Sequence, residues 1–169
     1  MPHSFDLVAE SPASVEQIHA AFGDEEYWLA RLAAFGGITT LDSLTVDAVG
    51  TVTVATTQDL HRQRLPAVVA KLLPGELKLQ RKETWRPVGG RRLRGQVNIS
   101  VAGDLGAGRA EALLAPLRNG SRLSFAAAVE VKVPLVAGKI ESYIAGQLAE
   151  QIPEMHRFTT TWIAEHNCR

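Results

Sequence analysis

The stretch from Pro134 to His166 limits this chain's folding options more than any other. Ile140, Ile144, Leu148, Ile152, Met155, Thr159 and Trp162 recur at steps of three and four, with Ile163 alongside. At about 100° per residue these side chains fall on one broad stripe. Lys139, Glu150, Glu154, Arg157 and Glu165 fall on the opposite side. A helix of this length must bury its stripe, and most of the remaining chain has the grammar of strands. The expected architecture is therefore a sheet wrapped around one C-terminal helix. Pro153 stands in mid-pattern, where it removes the hydrogen bond to the carbonyl of residue 149. The stripe continues in phase beyond it, so a kink is expected rather than a stop. Glu141 lies within the apolar arc; it can complement the helix dipole or meet a polar group near a pocket mouth.

Before that helix the chain alternates at period two almost throughout. Ser4 to Ala9 reads as a first strand, broken by Ser11-Pro12-Ala13-Ser14. Ser14 with Gln17 three residues on forms a capping box for a helix through Ile18, Ala21 and Phe22. Gly23 interrupts that helix and Asp24 can cap a second, with Trp28, Leu29, Leu32, Ala33 and Phe35 as its apolar pattern before Gly36-Gly37. Strands follow over residues 38–46 and 51–58, rich in Thr and Val. Residues 61–75 read as an irregular insertion, with an apolar segment at 65–73 that could form a short helix or a flap. Strands resume at 76–86, 91–101, 109–117 and 121–133, joined by turns such as Pro87–Gly90 and Asn119-Gly120. Gly95 interrupts an otherwise apolar face, where a bulge or close packing would exclude a side chain. The order is strand, two helices, six strands, one long helix, in a single domain spanning residues 1–169.

Composition excludes several classes of function. Lysines and arginines (18) balance aspartates and glutamates (18), so no global field favours nucleic acid or an anionic membrane. The 46% hydrophobic and 21% charged fractions are those of an ordinary globular chain. Cys168 is the single cysteine, so no intrachain disulfide forms and no thiolate cluster can hold a metal; a reducing cytoplasm is the expected location. The N-terminus lacks a signal pattern, and no run approaches about 18 apolar residues, so integral membrane contact is not expected.

The opening run Ser4-Phe5-Asp6-Leu7-Val8-Ala9-Glu10-Ser11-Pro12-Ala13-Ser14-Val15, with Phe22-Gly23-Asp24-Glu25-Glu26-Tyr27-Trp28, resembles the strand-then-helix openings of the START-like or SRPBCC helix-grip superfamily. The element order agrees with it over nearly the whole chain. More narrowly, the chain resembles an uncharacterised, mainly actinobacterial branch of that superfamily, a domain of unknown function. The resemblance implies an α+β helix-grip fold: a curved antiparallel sheet of about seven strands around a long C-terminal helix, with two short helices after the first strand. It also implies an elongated cavity between sheet and helix. Small residues at that interface, Ala126-Ala127-Ala128 and Ala145-Gly146, can leave room there or simply let the elements approach.

Candidate lining residues for such a cavity are Trp28, Trp85, Val97, Ile99, Phe125, Ile144, Leu148, Ile152 and Met155. Met155 suits an adaptable pocket through its flexible thioether. The face carrying Leu77, Leu79 and Trp85 also bears Arg81 and Glu83, two charges that must be paired or ligand-bound if that face points inward. His61-Arg62-Gln63-Arg64 is a small basic cluster, either a solvated loop or a transient membrane-surface contact, and too short for stable anchoring.

Catalytic signals are weak. No histidine pair has metal-ligand spacing and Gly-x-Ser-x-Gly is absent. The glycines at 103, 106 and 108 sit between strands, not at a strand-to-helix turn. Only His156 at the stripe edge, or Glu83, could act as a general base. Three functions fit: binding or transport of a hydrophobic small molecule such as a lipid or polyketide-like metabolite, a cyclase or hydratase using the same cavity, or a structural or partner-binding domain without a cavity. None calls for a cofactor or metal, and oligomeric state is not encoded legibly.

Overall fold

A computed structural model of the protein describes residues 3–35, 38–59, 78–101, 106–132 and 137–166. Strand β1 (His3–Ser11) leads to helices α1 (Val15–Phe22) and α2 (Glu25–Phe35). Six strands follow: β2 (Ile38–Val46), β3 (Val52–Asp59), β4 (Lys78–Val88), β5 (Arg92–Val101), β6 (Gly106–Leu117) and β7 (Gly120–Val131). The long helix α3 (Ala137–His166) ends the described chain. The seven strands form one antiparallel sheet in the order β1-β7-β6-β5-β4-β3-β2. The helix-grip architecture expected from the sequence is the one observed. The apolar 65–73 segment and the His61–Arg64 cluster lie outside the described residues.

Local chemistry explains the element ends. Gln17 N–H donates to Ser14 Oγ at 3.1 Å while Ser14 N–H donates to Gln17 Oε1 at 2.9 Å, the reciprocal capping box that starts α1. Glu26 N–H donates to Asp24 Oδ1 at 2.9 Å, which caps α2. The buried stripe of α2 differs from expectation: Tyr27, Trp28 and Arg31 point inward, while Leu29 is exposed. A charged residue occupies the position one turn after Tyr27 that periodicity reserves for a hydrophobe. Helix α3 continues through Pro153 without stopping. Gly106 and Gly108 belong to strand β6, paired with Val131 and Val129, so that strand starts three residues before its expected position.

The register lays the inward side chains in rows across the sheet. One row runs Thr56, Arg81, Ile99, Gly108, Val129; the next runs Val54, Glu83, Val97, Ala110, Ala127, Phe5. A third runs Val52, Trp85, Gly95, Ala112, Phe125, Leu7. Helix α3 packs on β1 and β7 and against α1 and α2, while α2 leans on β2. The helices therefore cover the sheet unevenly, and side-chain size decides what remains beneath them.

Candidate functional site

At one end of the sheet the interior is filled by aromatic rings. Phe22 lies 4.8 Å from Trp85 and 5.8 Å from Trp28 between ring centroids, and Tyr27 meets Trp162 edge-on at 5.3 Å. Trp28 is 1% exposed and donates its Nε1–H to Phe22 O at 2.6 Å. The Trp85 ring lies flat over Gly95, where a Cβ would stand only 2.5 Å from the indole. That close approach is the packing reason for a glycine on this face.

Beside that cluster sits a buried group of charges. Both Arg81 and Glu83 point inward, which resolves the ambiguity of that strand. Glu83 is 3% exposed and accepts from Trp85 Nε1–H at 3.1 Å. Its Oε2 lies 2.9 Å from Arg81 Nε and 3.6 Å from Arg31 Nη2. Burial alone would raise the Glu83 pKa; Arg81 and Arg31 outweigh it and hold the carboxylate ionised, below its ordinary range. Arg31 comes from α2, with its guanidinium 4.7 Å from the Trp28 ring centre. It donates to Met155 Sδ at 3.3 Å and to Tyr27 Oη at 3.4 Å. Thr159 Oγ1 donates to Met155 O at 2.9 Å, so the 2.5 Å contact between Tyr27 and Thr159 is best made by the Tyr27 hydroxyl proton. The chain of donors then runs from α2 into the backbone of α3.

His156 is 6% exposed, and its Nε2 has no hydrogen-bond partner. Burial, and then the positive charge of Arg31, lower its pKa from the ordinary 6.5, so the imidazole is neutral at pH 7. Arg81 Nε likewise lacks a well-aligned hydrogen bond despite its proximity to Glu83.

Beyond the charges, between β5–β7 and α3, lies an apolar crevice. Its walls include Val97, Ile99, Phe125, Leu148 and Ile152, with Gly108, Ala110 and Ala127 among the small residues and Arg81 at its charged side. It measures about 300 Å³ with the part open to solvent counted, and the room inside it for the centre of a water molecule is about 20 Å³. That is space for roughly one water as it stands. Five of the nine expected lining residues thus meet in one place. Trp28 and Trp85 belong to the aromatic cluster, Met155 sits against Arg31, and Ile144 is half-buried outside the crevice wall.

Glu141 has a backbone partner that the sequence does not reveal. It is 2% exposed, and its Oε2 accepts from the Val131 N–H at 2.7 Å, latching the start of α3 to the end of β7. Arg31, Gly108 and Ala110 were the residues that sequence reading missed. The available signal for Arg31 was its position one turn after Tyr27. For the other two it was period two continuing backwards from Ala112 into the glycines.

Comparison with known proteins gives the family. Residues 6–163 match the family described as "Protein of unknown function (DUF2505)". The chain belongs to that family. It is also 36% identical to the uncharacterized protein Rv0481c of Mycobacterium tuberculosis over 177 aligned positions, covering 98% of this chain and 99% of that protein. Among solved structures, a point mutant of norcoclaurine synthase from Thalictrum flavum, in complex with a transition state analogue, shares the fold. It has a TM-score of 0.53 at 18% identity, over 99% of this chain and 97% of that one. Ara h 8.0201 superposes with a TM-score of 0.56 at 11% identity, over 98% of this chain and 100% of that one. TTHA0849 from Thermus thermophilus gives 0.55 at 13%, over 96% and 98%. These likenesses establish a helix-grip fold. Among the described residues no helix is long and apolar enough to cross a membrane.

Proposed function

We propose that this protein binds a hydrophobic small molecule in the crevice between β5–β7 and α3. The observation that carries the reading is the size contrast across that interface. Gly108, Ala110 and Ala127 face the space on the sheet side, while Leu148 and Ile152 close it from the helix. A sheet built only to pack against a helix would place larger side chains there, as this one does around Trp85. The norcoclaurine synthase structure, described in complex with a transition state analogue, is a precedent for small-molecule recognition in this fold.

The crevice as it stands is too narrow for an organic ligand, since small-molecule sites usually offer some 300–1,000 Å³ of enclosed volume. Uptake therefore involves rotation of Leu148 and Ile152 in the middle of α3. Both ends of α3 are fastened, the start through Glu141 and the later part through three contacts. Thr160 meets Ser11 at 2.6 Å, Thr159 meets Tyr27, and Trp162 packs on Tyr27. Burying the ligand's apolar surface returns about 25 cal/mol per Å². A cyclase or hydratase reading is less well supported: Glu83 is held ionised by two arginines, which makes it a weak base.

Titration with the neutral fluorophore N-phenyl-1-naphthylamine tests the proposal. Saturable uptake by the native protein is expected, with loss of at least about tenfold in affinity for Leu148→Trp. Circular dichroism should show the variant folded. Uptake that Leu148→Trp leaves unchanged would place the probe elsewhere and remove the crevice as the site.

A further inference from the structure

Among the described residues, the charges beside the crevice do not balance. Arg31 and Arg81 supply two guanidinium groups, which remain protonated at any ordinary pH, against the single carboxylate of Glu83. Among the described residues the other groups touching this cluster are the Tyr27 hydroxyl, the Trp28 and Trp85 indoles and the Met155 thioether, and none of them adds a negative charge at pH 7. Arg31 is buried and the Arg81 side chain is only 17% exposed, so two largely desolvated cations share one carboxylate. Arg81 is also the member of the cluster that lines the crevice. Its Nε has no aligned acceptor, and its pKa is lowered by burial in spite of Glu83. His156 stands one helical turn beyond Ile152, itself a crevice wall, and its buried Nε2 has no hydrogen-bond partner.

We infer that the charged side of this crevice is an anion subsite, and that the ligand is an amphipathic monocarboxylic acid. Its carboxylate pairs with Arg81, supported by Arg31, and its hydrocarbon body lies along Val97, Ile99, Phe125, Leu148 and Ile152. A carboxylate supplies the negative charge that two arginines and one glutamate lack. Its two oxygens match the forked donors of a guanidinium. A neutral ligand of the same shape would satisfy the apolar walls and leave the charge excess as it is. This inference rests on the binding reading above and specifies the chemistry of its ligand.

Dodecanoate and dodecanol, each below its aggregation threshold, separate the two ideas by isothermal titration calorimetry at pH 7.5. They share one hydrocarbon body and differ in charge. The expected result is dodecanoate binding at least about tenfold tighter than dodecanol, the scale of one charge-assisted hydrogen-bonded pair. Arg81→Gln should reduce the ratio of dodecanoate to dodecanol affinity to within about twofold, and a ratio kept at about tenfold in that variant would overturn Arg81 as the anion partner. If Arg81→Gln does not fold, the comparison of the two ligands on the native protein still decides the matter. Equal affinities would overturn the anion subsite and leave the apolar crevice intact. Binding of neither ligand, together with no uptake of the neutral fluorophore, would overturn both.

Discussion

Two regions of the interior share the sheet and α3, yet the one that also receives α1 and α2 is filled and the other is not. Around Trp85, Phe22, Trp28 and Tyr27, large rings interlock and the one missing side chain, at Gly95, is occupied by an indole. Two rows away, a Cβ added at Gly108 would meet only ordinary contacts, with Ile99 side-chain carbons at 3.6 and 3.9 Å and Ala128 O at 3.9 Å. Between the two ends lies the charged group of Arg31, Glu83 and Arg81. Glycine therefore does opposite things at the two ends: at Gly95 it admits a neighbour, and at Gly108 it leaves space. Occupancy depends on what the facing element brings.

The largest test of this contrast is at the filled end. Trp28→Ala should cost about 3–5 kcal/mol in a chemical denaturation experiment, because the site cannot collapse around a lost indole. A loss below about 1 kcal/mol would mean that the aromatic cluster is not the rigid half of the molecule.

The charged middle predicts a pH dependence of smaller size. The folded-state pKa of His156 is lowered from 6.5, so the unfolded chain takes up this proton first as pH falls. Its contribution to stability is complete above about pH 6.5 and is lost on acidification towards the lowered folded value. Glu83, also lowered, adds a second loss below about pH 4.5, as pH falls through its folded value. Thermal melts from pH 8 to 3 should show the upper step vanish in His156→Gln while the lower one remains. A melting temperature flat across the upper range in the native protein would contradict the burial of a neutral imidazole.

The smallest effect sharpens the comparison most. Ala110 and Ala112 are neighbours on one face of β6, and Ala112 pairs across to Gly95 under the Trp85 ring while Ala110 lines the crevice. Ala112→Val should cost about 1–3 kcal/mol through overpacking, and Ala110→Val less than about 1 kcal/mol. Equal costs would mean that the crevice is as tightly packed as the aromatic end.

Much of this arrangement is legible in the residue order. The stripe of α3, the Ser14–Gln17 capping box and the alternation along β5 and β7 are local signals, set by periodicity and by hydrogen bonds within a few residues. The gap at Gly95 was visible as an interruption, although its occupant was not. Arg31 carries no signal of burial because a lone arginine in an amphipathic helix is ordinarily solvated; Glu83 and Met155, far along the chain, help to make its burial tolerable. Gly108 reads as part of a loop because glycine suppresses the strand signal that pairing with β7 supplies, and Ala110, inside the expected strand, carries no sign that it faces a crevice.

What the sequence determined by itself, then, is the set of elements, their order and the inward face of most strands. These follow from side-chain period and capping, which act over a few residues. The tertiary structure alone decided which inward faces are filled, that two arginines share one carboxylate, and that the small residues of β6 meet Leu148 and Ile152. Those outcomes depend on distances between segments far apart in the chain, where volume and charge balance only once the helix lies in the sheet.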